Sequence, residues 1–302
     1  MPGVITTGSH PAASWPGVKK WWGTTYDEHE EQYTDLFDLD TSDKKYEEII
    51  ETSNFGLMTV KPEGTAITYD SDSQGTTTRL TNVTYATGYI VTYEEQRDGL
   101  YDIVSKRRAK KLAFSARQTV ENVAANVYNR AFNSSYLGAD GVVMCSASHP
   151  TQSGNQSNLL TTAAELSEAS LEDLVIQTMD ATDSRGNKIS VKPMSLHVPT
   201  AKIFDANRIV NSTLQGHTAN NAINAIKFLG IFPSGIKPNT YFTSSTAFFI
   251  RTNVEGLVFQ WRERPELMQD NDGDTMNLKA KIIARFVAKH FDFRSIFGTP
   301  AV

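Results

Sequence analysis

The chain of 302 residues contains one cysteine, Cys145, and no long apolar run. A single cysteine excludes an internal disulfide framework and suits a reducing cytoplasm. No apolar stretch approaches the roughly 18 residues of a membrane span, so we expect no membrane partner. The N-terminus has no continuous apolar segment after a basic start, and we therefore expect no secretory signal peptide.

Sequence signatures of nucleotide and metal sites are also missing. There is no G-x-x-x-x-G-K-[ST] phosphate loop and no G-x-G-x-x-G motif after a strand. His29 and the glutamate after it begin like a zinc-protease motif, but Tyr33 occupies the place of the second histidine. Residues 270–274 begin like a calcium loop, but Thr275 and Lys281 replace the required glycine and glutamate. We therefore expect no metal and no cofactor.

Cys145 and His149 are a pair that could supply a nucleophile and a base. Pro150 and the surrounding glycines place both residues in a loop, and the sequence identifies no third group to orient the histidine. We favour an ordinary loop cysteine and histidine. Glu263 and Glu266 lie among arginines, which suits surface ion pairs. We expect no catalytic residues and conclude that the chain is not an enzyme.

Length and charge limit the remaining classes. A chain of 302 residues predicts about two domains with a sizeable core. The formal net charge of −5 argues against a freestanding nucleic-acid-binding protein, although it says nothing about local patches.

A long amphipathic helix is predicted from about Asp98 to Ser134, because apolar residues recur every three or four positions. Its length would be roughly 55 Å, more than a compact small domain needs. A basic cluster occupies Lys106–Lys111 of this helix. We favour a solvated face for the cluster, and the alternatives are contact with nucleic acid phosphates or with the acidic arm of a neighbour.

The N-terminal 54 residues show little recognisable core. Trp15, Trp21 and Trp22 have few apolar neighbours, so we expect them to pack on another domain or another subunit. The stretch Asp27–Glu51 contains eleven acidic residues but only two lysines, and Tyr46–Ile50 suggests a short helix. This stretch is either a solvated surface helix or an arm that lies along a neighbouring molecule.

Residues 55 to 93 change to a period of two, which predicts a long hairpin. Its second strand would run from Val83 to Tyr93, and Ile67 and Tyr69 indicate its first strand. The tip would be the turn-rich stretch from Asp70 to Gly75. Because an isolated hairpin is marginal in water, a partner is expected to cover it.

The rest of the chain predicts a mixed α/β region. A capping box at Ser170 with Asp173 begins a helix that ends near Gly186. Its expected buried residues are Leu171, Leu174, Val175 and Met179. A second helix follows Pro199 through Phe204 and Val210, and the asparagine-rich residues 211–224 suggest a mobile loop. The expected strands are residues 194–198, 228–232, 241–250, 256–261 and 278–293.

Four local sequences carry a family resemblance, namely Ala125–Phe132, Gly138–Gly141, Ser146–Pro150 and Phe293–Gly298. They resemble sequences of Hong Kong 97-type major capsid proteins of tailed bacteriophages. The order of arm, hairpin, rod helix, mixed α/β region and returning strand is also similar, and it covers nearly the whole chain from about residue 25. The resemblance implies an α+β fold and a self-assembling structural subunit.

The resemblance further implies a division of the chain. Residues 1–54 would form an N-terminal arm and residues 55–96 an extended β-hairpin loop that reaches over an adjacent subunit. Residues 97–164 would form a peripheral domain with the long spine helix, and residues 165–270 a mixed α/β axial domain around five-fold and six-fold axes. Residues 271–302 would return to the peripheral domain as the C-terminal strand.

The implied assembly is an icosahedral phage head of pentamers and hexamers around double-stranded DNA, built in the bacterial host cytoplasm. Its expected partners are copies of itself, a portal, decoration proteins and packaged DNA by non-specific contact. Because only an arm precedes the hairpin, we expect a separately encoded scaffolding protein, unless an N-terminal segment has already been removed from this chain. The alternatives are an encapsulin-like shell that encloses cargo protein and another virion component, such as a tail or connector protein.

Overall fold

Two four-stranded sheets, each with helices packed against it, form the body of the chain. The computed structural model describes residues 15–27, 29–97, 101–214, 222–272, 274–275 and 277–300. The α-helices in these ranges are α1 (Trp15–Asp27), α2 (Tyr33–Leu36), α3 (Tyr93–Arg97), α4 (Tyr101–Asn129), α5 (Glu168–Met179), α6 (Ile203–Asn211) and α7 (Ala225–Leu229). The strands are β1 (Asp38–Thr41), β2 (Tyr46–Thr52), β3 (Gln74–Thr81), β4 (Val83–Val91), β5 (His149–Thr151), β6 (Gly154–Gln156), β7 (Pro193–Pro199), β8 (Ile236–Asn239), β9 (Phe248–Thr252), β10 (Leu257–Asn271), β11 (Leu278–His290) and β12 (Ile296–Thr299).

The first sheet has the strand order β1-β10-β11-β4 and carries α4 on one face. β1 runs parallel to β10, and the other two pairs are antiparallel. The second sheet has the order β12-β9-β7-β8, with α5 and α6 packed against it. The predicted strands at 194–198 and 278–293 correspond to β7 and β11. The apolar pattern of the sequence and its flanking turn residues therefore located both strands.

Strands β9 and β12 are shared between two hydrophobic cores. Successive side chains of a strand point to opposite faces of its sheet. Phe249 of β9 and Ile296 of β12 therefore enter the core under α4, whereas Phe248 and Phe297 enter the core under α5 and α6. Burial of both faces ties the two halves of the molecule together.

The predicted long helix is α4, whose 29 residues correspond to about 43 Å. Residues 98–100 lie outside the described part of the chain. The helix ends at Asn129, earlier than expected, because the next residues tighten into turns in which Ala131 donates to the Tyr128 carbonyl. The Asn129 amide also donates to the Tyr241 carbonyl at 3.1 Å, so its side chain connects this end to the second sheet region.

The hairpin prediction is wrong in its strand pairing. The first strand is β2, which covers the expected helix at Tyr46–Ile50 and pairs antiparallel with β3. The predicted second strand, β4, instead pairs with β11, and Ile67 and Tyr69 lie outside regular secondary structure. Alternation of exposed and half-buried positions along β2 shows that its acidic residues belong to a strand pattern of period two.

Three further expectations need correction in the second half of the chain. Ser167, not the predicted Ser170, caps α5, and Ser170 is its partner in the capping box. The helix ends at Met179, which is more than half exposed. The expected strand at 228–232 begins instead inside α7, which Asn224 caps and Gly230 ends in the left-handed conformation at φ 60°.

The remaining boundaries shift by a few residues. The strand expected at 241–250 is β9, and the one expected at 256–261 is β10, which continues to Asn271 into the expected acidic turn. Phe204 of α6 is exposed. Of the expected mobile loop, residues 215–221 lie outside the described residues, and Leu214 forms a bridge with Ile223.

Replacement of Leu174 by alanine is expected to destabilise the subunit. Leu174 is fully buried in the second core, so L174A should lower the free energy of unfolding by about 2–5 kcal/mol. Ile176 on the same helix is 59% exposed, and I176A should change it by less than about 0.5 kcal/mol. Denaturant unfolding of unassembled subunits measures both, and equal losses would contradict the assignment of the buried face.

Candidate assembly surfaces

Three of the loop sequences that resemble capsid proteins meet around one buried side chain, that of Asn158. Its Oδ1 atom accepts hydrogen bonds from the Ser146 amide at 2.8 Å and from His149 Nε2 at 3.0 Å. Its Nδ2 atom donates to three carbonyl oxygens at 2.8–3.0 Å, those of Met144, Phe293 and Ile296. One amide therefore joins the loop after α4 to the turn before β12.

His149 is held on both ring nitrogens. Nδ1 lies 2.6 Å from Asp140 Oδ2, and Nε2 donates to Asn158 because a carbonyl oxygen only accepts. The ring stacks on Phe293 at a centroid distance of 4.2 Å. Burial raises the pKa of Asp140, but hydrogen bonds from His149 and from the Val142 amide outweigh it, so this pKa lies below its usual value.

This geometry does not form the nucleophile and base pair that the sequence offered. Asp140 is the orienting group that sequence reasoning missed, and its spacing from His149 gave no signal for it. It directs His149 toward Asn158, and both ring nitrogens are occupied by these two residues. Cys145 is buried, and burial raises the pKa of its thiol, which disfavours the thiolate that a nucleophile requires.

The other candidate sites form structural contacts. The His29 ring lies against Phe114 at 4.9 Å. The acidic turn is neutralised by β11, because Asp270 pairs with Lys281 at 3.3 Å and Asp272 with Lys279 at 2.7 Å. The hydrogen bond from Lys279 lowers the pKa of Asp272 to about 2.

Glu263 forms the expected surface ion pair, with Arg285 at 3.3 Å. Within the described ranges, no group of three or more His, Cys, Asp or Glu side chains is arranged to hold a metal ion. That part of the chain also contains no helix with the length and apolarity of a membrane span.

Residues 53–73, here called the projecting segment, expose apolar side chains without regular secondary structure. Its ends are closed by a hydrogen bond from the Ser53 amide to the Ser73 carbonyl at 2.8 Å. Arg185 binds Asp70 at 2.7 Å and attaches the segment to the turn after α5. Its exposed apolar residues are Phe55, Leu57, Met58, Val60, Ile67 and Tyr69. Exposed apolar groups at this density indicate an interaction surface.

The N-terminal region has more core than the sequence indicated. Tyr33, Leu36 and Phe37 are buried in the core under α4. Trp22 packs with Tyr26 on the apolar face of α4 in the same chain, which is the first of the two expected alternatives. The side chains of Trp15 and Trp21 lie outside the described residues.

The acidic stretch is partly neutralised within its own chain. Five of its carboxylates form ion pairs, namely Glu31 with Arg117, Asp35 with Lys237, Asp38 with Arg251, Glu48 with Arg79, and Glu51 with Arg294. Much of this charge is therefore not available to bind the basic cluster of a neighbour.

The basic cluster on α4 retains free cations. Arg108 pairs with Glu95 at 2.9 Å. Arg107, Lys110 and Lys111 are exposed, and no described carboxylate forms an ion pair with them. The side chain of Lys106 lies outside the described residues. We call Arg107, Lys110 and Lys111 the basic face.

Solved structures share this architecture at low sequence identity. A virus-like particle from Pyrococcus furiosus matches with a TM-score of 0.52 and 9% identity, over 95% of this chain and 99% of that one. Mycobacterium phage Adephagia matches with a TM-score of 0.52 and 12% identity, over 91% of both chains. The capsid of Myoviridae phage XM1 matches with a TM-score of 0.51 and 9% identity, over 91% of this chain and 93% of that one. No curated protein matches the sequence.

The fold is therefore that of Hong Kong 97-type capsid proteins, an α+β fold, as the local sequences suggested. A family model described as phage capsid protein matches residues 75–298. Because this match covers most of the chain, the protein belongs to the phage capsid protein family. It is a structural shell protein of the virion capsid that self-assembles, and it is not an enzyme.

Replacement of Asn158 tests the central amide. N158A leaves the buried partners of five hydrogen bonds unpaired and should lower the free energy of unfolding by about 3 kcal/mol or more. Asn155 lies exposed on β6, three residues before Asn158, and N155A should have little effect. Denaturant unfolding of both variants is the measurement, and similar stabilities would refute the central role of Asn158.

Proposed function

We propose that this chain is the major capsid protein of a tailed phage and forms pentamers and hexamers that close into an icosahedral head around double-stranded DNA. The observation that carries the proposal is the projecting segment, where Met58 is fully exposed and Val60 nearly so. Burial of a side chain of this kind contributes about 1.5–3 kcal/mol. A neighbouring copy in a closed shell would provide that burial for every subunit alike.

The proposed roles of the segments follow their order along the chain. Residues 1–54 act as the arm, 55–96 as the loop over an adjacent subunit, and 97–164 with 271–302 as the peripheral domain. Residues 165–270 act as the axial domain around the five-fold and six-fold axes, except that their last strand, β10, pairs with β11 in the sheet under α4. Assembly takes place in the bacterial host cytoplasm with a separate scaffolding protein, a portal and decoration proteins. In this proposal the described part of the chain supplies no catalytic, cofactor or metal site.

An encapsulin-like shell around cargo protein is the second candidate. It is supported by the virus-like particle from Pyrococcus furiosus, which matches this chain as well as the phage structures do. The basic face favours the phage head, because exposed lysine and arginine side chains bind the phosphates of any DNA sequence. A tail or connector protein remains the third candidate.

Electron microscopy of the chain, expressed alone and with its neighbouring genes, tests assembly. The wild type should form closed shells with five-fold and six-fold clusters. The L57S/M58S/V60S variant should remain as smaller assemblies, because it loses three exposed apolar groups from the projecting segment. T59S preserves those groups and should assemble normally.

Subunit stability should not differ between the triple variant and T59S. Shells of the triple variant at wild-type yield would contradict a role for the segment, and rings or tubes from the wild type would favour the tail or connector alternative. Nucleic acid inside purified particles supports the head, whereas an enclosed protein supports the encapsulin-like shell.

Charge reversal on the basic face separates DNA contact from subunit contact. K110E/K111E should assemble shells normally but enclose severalfold less nucleic acid, with the difference largest at low salt. Lys44 and Lys45 are also adjacent and exposed, so K44E/K45E is the matched control and should package normally. Failure of K110E/K111E to assemble would instead favour docking of a neighbour's acidic stretch on this face.

A further inference from the structure

Two charged residues are buried one helical turn apart on α4, under the N-terminal region. Arg117 is 3% exposed and Glu121 is 1% exposed. A position four residues further along a helix lies on the same face, so the two side chains can reach each other. Both face the link that joins α1 to α2, and α1 itself packs along α4.

Arg117 binds the end of α1 and the link. Its Nη1 atom lies 2.6 Å from Glu31 Oε1, and Nη2 donates to the Tyr26 carbonyl at 3.1 Å. The guanidinium also lies 4.0 Å from the centre of the Tyr26 ring. Its Nε atom has no hydrogen-bond partner in the described structure, so one donor is available for another acceptor.

Glu121 binds the same link through a backbone amide. Its Oε1 atom accepts from the Gln32 amide at 3.0 Å, and its Oε2 atom has no partner among the described residues. Burial raises the pKa of Glu121 to about 7, although the Gln32 amide and Arg117 lower it. Glu31 on the link raises this pKa further, and Tyr241 faces the carboxyl from the loop after β8.

The contact between α1 and α4 leaves buried polar atoms of α1 without hydrogen bonds. Trp22 Nε1 and Thr25 Oγ1 are buried without a partner within the described part of the chain. Buried polar atoms of this kind weaken an interface, because water would satisfy them if the helix lifted away. Among the described side chains of α1, Trp22 and Tyr26 pack on the apolar cluster that includes Leu112 and Ala116 of α4. These features suit a helix that can detach locally.

We propose that Arg117 and Glu121 form a pH-sensitive clasp, in which ionised Glu121 draws Arg117 away from Glu31 and so releases α1 from α4. In the docked state Glu121 is neutral and accepts the Gln32 amide, while Arg117 pairs with Glu31. Loss of the Glu121 proton creates a second carboxylate for Arg117 on its own helix. The two states differ in which carboxylate Arg117 binds.

Docking of α1 together with the link takes up a proton, because Gln32 of the link contacts Glu121. The pKa of Glu121 is about 7 in the docked state and returns to its ordinary value of 4.5 when water reaches the carboxyl. A group whose pKa is raised in one state stabilises that state at low pH. The docked state is therefore fully favoured below about pH 4.5, and its advantage is lost as the pH rises through 7.

Hydrogen exchange of the α1 backbone in unassembled, full-length subunits tests the clasp. Between pH 5.5 and 8.5, protection factors of residues 15–27, corrected for intrinsic exchange, should fall by about tenfold or more in the wild type. E121Q keeps a carbonyl oxygen for the Gln32 amide but cannot ionise, so its α1 should stay protected at both pH values. Glu255 lies on an exposed turn, and E255Q should follow the wild type.

A flat wild-type response, or an E121Q response equal to that of the wild type, would overturn the proposal. The E31Q variant provides a second test, which does not depend on whether E121Q folds. It removes the charge that holds Arg117 and should lower α1 protection at pH 5.5 toward the wild-type level at pH 8.5. Unchanged protection in E31Q would also overturn the clasp. Because the subunits are unassembled, neither result depends on shell formation.

Discussion

The hydrogen bonds of the Asn158 amide hold the two halves of this subunit in register. The amide fixes the turn at Phe293 and Ile296, and β12 begins at that turn. Because β12 sends alternate side chains into both hydrophobic cores, a displaced turn would disturb both together. Gly298 shows how little room remains, since a Cβ atom there would lie 2.6 Å from the Phe249 ring. The stretches that resemble capsid proteins therefore have a structural role, because they form the contacts that hold this turn.

Helix α4 combines three roles that demand different surfaces. Val120, Ala124 and Tyr128 pack on the first sheet, and the basic face is exposed to solvent. The remaining side holds Arg117 and Glu121 under the N-terminal region. Burial of charge costs free energy unless each charge is paired. Here Glu31 pairs with Arg117, and burial raises the pKa of Glu121 to about 7, so that its neutral form is favoured below that pH.

The projecting segment leaves the isolated subunit incomplete. The cores are closed, whereas the projecting segment leaves six large apolar side chains in water and has few hydrogen bonds to the rest of the chain. A stable monomer has no physical reason to retain such a segment, but a shell subunit does, because each copy can cover the segment of another. Membership of the phage capsid protein family agrees with this interpretation.

The sequence alone determined the elements whose signals are local. The spine helix, α5, β4 and β11 follow from the spacing of their own apolar residues, and the fold class followed from local motifs. Tertiary structure decided what depends on distant residues. β4 pairs with β11, nearly 190 residues later in the chain, and β2 forms a strand because β3 supplies its partner. Asp140 and Asn158 reach His149 only once the loops fold, because strand pairing and side-chain networks depend on proximity in space and leave no periodic trace.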